Sequence, residues 1–346
     1  TFLLFSTVIS LVTEWWWFTE VQFSEVFIKT LSTQLILGFS AGIIAFIFLI
    51  ANFLIASHSK HPWFASIPPE LVGQPVTFDG KLVNRSSFIL SIFLSVLIGL
   101  FVTSYWAEVL KFFAAIPFNA KDPLLGVDIG FYVFKLPVYG MLLGIIKMLL
   151  VTALIGVILI SVLRKSGHLN EILHKVTLGA VRKDKHGLQS AGSDVTHHQI
   201  RIQVGFLVFL YLLATAATTY LSIFSLLITQ SGPVFGAAFT EASILIPLLR
   251  ISVYAYLIAA VFALVYGLSG RVTPLLISFG LTLLIGLTSV VVPPVVQRFI
   301  VAPNELVKET PFITRNITAT RDAYNLQNIE KRQITADQSL TPEDIV

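Results

Sequence analysis

LPVYGMLLGIIKMLLVTALIGVILISVL, Leu136 to Leu163, is the stretch whose reading decides the fold class. It is apolar almost throughout, with a single charge, Lys147, well inside it. About 20 such residues span the hydrocarbon core of a bilayer, so the stretch reads as a membrane helix with an ammonium at depth. Gly140, Gly144, Lys147 and Val151 follow one another in steps of four, three and four, which puts them on one helix face. A small-xxx-small pair lets another helix approach closely in lipid. Lys147 is therefore expected to look into a helix bundle and not at lipid tails.

Composition extends that reading to the whole chain. Hydrophobic residues make up 55% of the 346 and charged ones 12%, about half the charged share of soluble domains. Such a surplus needs an apolar exterior, hence an integral membrane protein. The net charge of +4 and pI near 9.2 fit loops facing an anionic inner leaflet. No basic patch interleaved with aromatics lies outside the apolar runs, so no nucleic-acid partner is expected. With no cysteine, disulfides, iron–sulfur clusters, thiolate zinc sites and cysteine nucleophiles are excluded. No cofactor is expected.

Outward from Leu136–Leu163, six further spans are expected. Thr1–Val12 reads as the end of a truncated first span, with no signal-peptide pattern before it. TEWWWFTEVQFSEVF after it has the makeup of an interfacial aromatic belt. The second span is Leu31–Ile55, with Gly38 and Gly42 as a small-xxx-small pair and Asn52 as an interhelical hydrogen-bond donor. Ala56–Ser87 is a Pro-rich loop with a small hairpin centred on Asp79-Gly80. The third span is Phe88–Trp106. From Ala107 to Pro137 the pattern predicts an interfacial helix and a turn at Asp122-Pro123.

Beyond Leu163, Leu169, Ile172, Leu173, Val176 and Ala180 recur at helical spacing, predicting a short amphipathic helix at the headgroups. GLQSAGSD then reads as a loop. The fifth span is Val204–Thr229, with Ala214, Thr218 and Ser222 on one face. A re-entrant or broken helix is expected around Glu241, Pro247 and Arg250, where non-helical backbone must lie inside protein or beside water. The sixth and seventh spans are Ile251–Leu268 and Val272–Val292. In the tail, Ile313, Ile317, Thr320 and Tyr324 share a helical face.

Threading follows from charge. The loops after spans two, four and six carry eleven Lys and Arg; those after spans one, three and five carry five, against seven Asp and Glu. Basic loops stay in the cytoplasm, so the N-terminus is placed inside and the C-terminal tail outside.

Three strings carry a resemblance: WWWFTEVQFSEVF (Trp15–Phe27), NAKDPLLGVDIGFYVFKLPVYG (Asn119–Gly140) and VAPNELVKETPFITRNITATRDAYNL (Val301–Leu326). In order and spacing they resemble the bacterial membrane proteins grouped as uncharacterised protein family 0182, over nearly the whole chain. The resemblance implies a seven-span portion followed by a large extracytoplasmic domain, cut near that domain's start. It implies no activity, substrate or cofactor.

Candidate chemistry is sparse. An ammonium at the centre of a membrane helix costs about 2.5–3.5 kcal/mol on insertion scales, so Lys147 needs a partner or water. Asp128, Glu108 and Glu241 are candidates, a structural pair outweighing a proton or ion relay. Roughly 16 Å of helix from Leu136 makes snorkelling hard. Asp122 and Asp128 are a possible acid–base pair, though Asp122-Pro123 is more simply a turn. Glu241 with Arg250 reads as a buried structural pair. His58/His61 and His197/His198 have metal-site spacing but lie in solvated loops, so no metal site is assigned. No catalytic motif occurs.

The expected fold is all-α, a seven-transmembrane-helix bundle over residues 1–300 with interfacial or re-entrant helices, and residues 301–346 begin an extracytoplasmic domain. The expected location is the bacterial cytoplasmic membrane. The expected role is a non-enzymatic module anchoring an outer domain in envelope transport or assembly, of lipid or polymer. A membrane enzyme with an outer-face carboxylate site, or a structural subunit of a complex, are the alternatives.

Overall fold

The computed structural model describes residues 2–58, 64–67, 76–177, 191–231 and 234–329. His61, residues 178–190 of the basic loop and the last part of the tail lie outside them. Apart from two short hairpins, the regular structure described is helical. The helices are α1 Phe2–Glu20, α2 Ser24–Ser57, α3 Gly80–Thr103, α4 Trp106–Phe113, α5 Leu136–Thr177, α6 Ala191–Ser225, α7 Ile246–Ser269, α8 Val272–Val296 and α9 Glu305–Ala323. Among the described residues, six helical stretches are long and apolar enough to cross a membrane, beginning with α2 and ending with the one that opens with α8. α1 is helical across the expected first span, but its described side chains begin at Phe5 and it is not one of the six.

The core forms where small residues let helices touch. On α3, Ser87, Ser91, Ser95, Gly99 and Val102 form a buried side of mostly small residues against α2. Gly38 of α2 lies so close to Gly99 that a Cβ on Gly99 would sit 2.7 Å from the Gly38 carbonyl oxygen. The Gly38/Gly42 pair thus does what its spacing predicts. Leu49 and Phe53 of α2, Ala153 and Val157 of α5 and Leu207 of α6 complete one buried apolar cluster. Leu212 of α6 with Ala259, Ala260 and Ala263 of α7 makes a second. Val138 and Met141 of α5 seat Val109 of α4, which anchors this eight-residue helix against the bundle. α8 joins α7 through the Ser278 hydroxyl, which donates to the Ala259 carbonyl at 2.9 Å. Gly270 ends α7 at φ +72, donating to the Tyr266 carbonyl, and this left-handed residue permits the short turn into α8.

Several expectations are corrected. The hairpin pairs β1 (Phe64–Ile67) with β2 (Val76–Asp79), with Phe64 opposite Asp79. Asp79-Gly80 is therefore not its centre: Asp79 caps α3 by accepting the Lys81 N–H at 3.2 Å, the ordinary role of Asp at a helix start. The amphipathic segment after Leu163 is a continuation of α5 to Thr177, and α6 already begins at Ala191, inside the predicted loop. Asn52 acts between helices as an acceptor: Gln203 of α6 donates to its backbone oxygen at 2.8 Å and its Oδ1 at 3.1 Å. Its own amide donates within α2, to Phe48.

The segment around Pro247 is not broken. Among the described residues, three five-residue π-helical turns occur, Phe131–Lys135, Glu241–Leu245 and Gln297–Val301. Each is followed two residues later by a proline, Pro137, Pro247 and Pro303. Proline lacks an N–H and its ring crowds the carbonyl four residues back. The residue before each proline bonds five residues back instead: Leu136 to Phe131, Ile246 to Glu241, Ala302 to Gln297. One extra residue per turn makes the room.

Candidate functional site

The three prolines and their π turns lie at the same end of the bundle as α4, because α5, α7 and the chain leaving α8 all have their proline-bearing ends there. This α4 end is where polar side chains gather. The loop between α4 and α5 is organised by Asp122, whose Oδ1 accepts the N–H of Leu124 and Leu125 at 2.9 and 2.6 Å. Its Oδ2 accepts the Val127 N–H and the Tyr132 hydroxyl, both at 2.9 Å. Asp128 Oδ1 accepts from Phe118 N–H at 3.1 Å and Gly130 N–H at 2.7 Å. Next to Tyr132, Phe131 packs edge-on against Phe224 at the end of α6, 5.1 Å between centroids. The loop is thereby fastened over two helix ends.

Those bonds set the carboxylates' chemistry. Burial pushes Asp122 up, but the Leu125 and Val127 N–H groups, the Tyr132 hydroxyl and the Leu124 N–H together hold it below the usual carboxylate range. Asp128 is lowered chiefly by the Phe118 N–H, against desolvation, with help from Gly130, Asn119 and Lys121. A carboxylate accepting several backbone N–H bonds is a poor proton carrier near neutrality. Both aspartates act as loop organisers.

A second junction joins α9 to the start of α7, and sequence reasoning missed its principal residue. Glu309 of α9 is fully buried. Its Oε2 accepts the Phe239 N–H at 3.1 Å, while its Oε1 has no partner among the described residues. Glu241 bends back to the Ala238 N–H at 3.0 Å, and the Thr240 hydroxyl donates to Gln297 Oε1. Two carboxylates thus serve one helix N-terminus, whose unpaired N–H groups and dipole favour negative charge. Around them Phe312 meets Phe239 edge-on at 6.4 Å, Lys308 Nζ lies 4.8 Å from the Phe239 ring centre, and Asn316 donates to the Phe235 carbonyl at 2.9 Å. The docked face of α9 is Glu309, Phe312 and Asn316, not the Ile313–Tyr324 stripe: Ile317 and Tyr324 are exposed. The only signal was the i, i+3, i+7 spacing of the docked three within a polar segment.

The predicted site residues do not converge. Among the described residues no hydrogen bond links the Asp122 loop to the Glu309 junction. Glu241 and Arg250 do not pair among the described residues: Glu241 bends back to the Ala238 N–H, and Arg250 is exposed. Lys147 is half-buried, with no carboxylate beside it among the described residues; its Nζ lies 5.9 Å from the centre of the Tyr211 ring on α6. Gly140 and Gly144 beside it are exposed, and a Cβ on either would meet nothing within 4 Å. The expectation that this face turns into the bundle is corrected, because Leu149, Ala153 and Val157 occupy the opposite side of α5 and are what the core receives. At the other end of the bundle, Arg201 Nε donates to the Gly267 carbonyl at 3.2 Å and its Nη2 lies 2.7 Å from His198 Nδ1. Among the described residues no three of His, Cys, Asp and Glu gather as for a metal.

Comparison with known proteins gives the chain its relatives. A UPF0182 protein of Trichodesmium erythraeum is 31% identical over an alignment covering 99% of this chain and 35% of the relative. UPF0182 proteins of Alkaliphilus metalliredigens and Pelotomaculum thermopropionicum are each 28% identical, covering 98% and 97% of this chain and 35% and 36% of the relatives. The chain thus spans about a third of the length of the curated relatives it matches. No solved structure matches it. The model of the uncharacterised protein family UPF0182 matches residues 1–346 from end to end, and the chain belongs to that family.

Proposed function

We propose that this chain is the membrane module of a longer bacterial envelope protein, in which α1 and the six apolar helices cross the cytoplasmic membrane seven times. Its N-terminus is cytoplasmic, and α9 leads into an extracytoplasmic portion that serves transport or assembly of lipid or polymer. The observation that carries this reading is the Glu309 junction. The polar helix α9 is clamped onto the start of α7 by a buried carboxylate, so α9 itself is held in a fixed orientation against the bundle. The Lys and Arg balance of the loops supports the orientation. An outer-face enzyme is disfavoured by Asp122, both of whose oxygens are occupied, and by Asp128, whose Oδ1 accepts two backbone N–H groups.

The chain has no native cysteine, so accessibility labelling is direct once any cysteine elsewhere in the full-length protein is replaced by serine. In the full-length protein, Asp322→Cys is expected to react with a membrane-impermeant thiol reagent on intact cells. Ser269→Cys, at the exposed turn between α7 and α8, is expected to react only after permeabilisation. The reverse pattern would overturn the orientation. For the transport role, deleting the full-length protein is expected to change the lipid or polymer content of the outer envelope, and Glu309→Ala to reproduce part of that change. An unchanged envelope in the deletion strain would overturn it.

A further inference from the structure

We propose that the open face of α5 around Lys147 receives a transmembrane helix of another polypeptide carrying an Asp or Glu at matching depth. The face consists of Gly140, Gly144, Lys147 and Val151, opposite the side that packs into the core. Its glycines are uncovered, so a helix backbone can come close. Tyr211 holds the ammonium sideways, 5.9 Å from its ring centre, instead of letting it climb toward a headgroup. A cation held there is left without an anion among the described residues, and charge complementarity names what covers the face.

The occupant has to come from outside this chain. Residues 31–55, 88–106, 136–163, 204–229, 251–268 and 272–292 contain no Asp or Glu, so the apolar cores of the six stretches supply no carboxylate, and the acidic residues of these stretches, such as Glu25, Glu241 and Glu309, lie toward their ends. Glu14 of α1 adjoins Trp15–Trp17, a belt belonging at headgroup level, and already accepts from the Ser10 hydroxyl at 3.4 Å. A second copy docking symmetrically would set Lys147 against Lys147. A lipid phosphate belongs at the surface, roughly 16 Å of helix away from Lys147. What fits is a helix with small residues facing Gly140 and Gly144 and one carboxylate reaching Lys147.

The test places a photo-crosslinking residue at Gly144 or Val151 of the full-length protein in its native membrane, with a probe at Leu284 of α8 as control. The expected result is one protein adduct from α5, absent from the control, whose crosslinked helix bears an Asp or Glu within its span. Lys147→Met is expected to lower the adduct at least tenfold at unchanged membrane abundance. Lys147→Asp combined with the partner's carboxylate changed to Lys is expected to restore it, which decides the matter even if Lys147→Met folds poorly. Adducts to lipid alone, to a second copy, to the remainder of the same polypeptide, or to a helix without a carboxylate would overturn the proposal. So would a charge exchange that restores nothing.

Discussion

Removing the Glu309 carboxylate tests the outer junction at its centre. In Glu309→Ala the Phe239 N–H, held at 3.1 Å by a fully buried side chain, loses its acceptor. A hydrogen bond to a charged group contributes about 1.5–3 kcal/mol, and an orphaned buried donor costs in the same range. Taking about 2 kcal/mol, the local opening equilibrium of this junction should rise roughly thirtyfold, at 1.4 kcal/mol per decade. Hydrogen exchange on the full-length protein in lipid nanodiscs reads this directly. The amides of residues 238–242 and 309–316 are expected to exchange roughly thirty times faster, and those of α2 and α3 at their original rates. Glu309→Gln is expected to stay within about 1 kcal/mol of the parent, since it keeps an oxygen for Phe239 and removes the charge on the unpartnered side. Unchanged exchange in Glu309→Ala, or equal losses in both variants, would refute the reasoning.

Three further outcomes follow from geometry. A Cβ on Gly205 would sit 2.6 Å from the Gly267 Cα, so Gly205→Ala should force α6 and α7 apart and destabilise by about 1–3 kcal/mol; thermal unfolding in detergent measures it, and an unchanged midpoint would count against the packing. Asp122 has its carboxyl lowered in the folded loop, so its stabilisation is present above about pH 4, the ordinary Asp range, and is lost as pH falls through the lowered value. Proteolysis of the 114–130 loop in a homogeneous detergent preparation should therefore accelerate on acidification, and Asp122→Asn should be more susceptible near neutrality with a smaller acid-induced increase, the part left to Asp128. Pro247→Ala removes the ring that opens the Glu241–Leu245 turn; exchange at Ile246 should slow as an ordinary α-helical bond forms, and no slowing would show that the proline does not cause the π turn.

Length and hydropathy made the six apolar helices legible, since a bilayer leaves the backbone little choice but to bond within a helix. Gly38/Gly42 was readable because its spacing and its use coincide. Gly140/Gly144 shows the limit: the same spacing says that a helix can approach, and nothing about whether one does. Asp79 misled because Asp-Gly signals a hairpin turn and a helix cap equally well. The nine-residue separation of Glu241 and Arg250 speaks against a pair on an uninterrupted α-helix, but the π turn at Glu241–Leu245 interrupts this one. Glu309 was barely legible, because it acts on a loop seventy residues earlier and only its spacing to Phe312 and Asn316 distinguishes it from a solvated glutamate.

The proline-linked π turns have a consequence for indels. An extra residue rotates everything upstream by about 100° relative to an uninterrupted α-helix. Loss of one residue between Glu241 and Leu245 would therefore swing Phe239 and Thr240 away from their contacts with Glu309 and Gln297. The same deletion a few residues into the solvent-facing loop would be absorbed. Length variation in this family should accordingly be confined to loops and sparse in the five residues before each Leu-Pro, Ile-Pro or Ala-Pro pair.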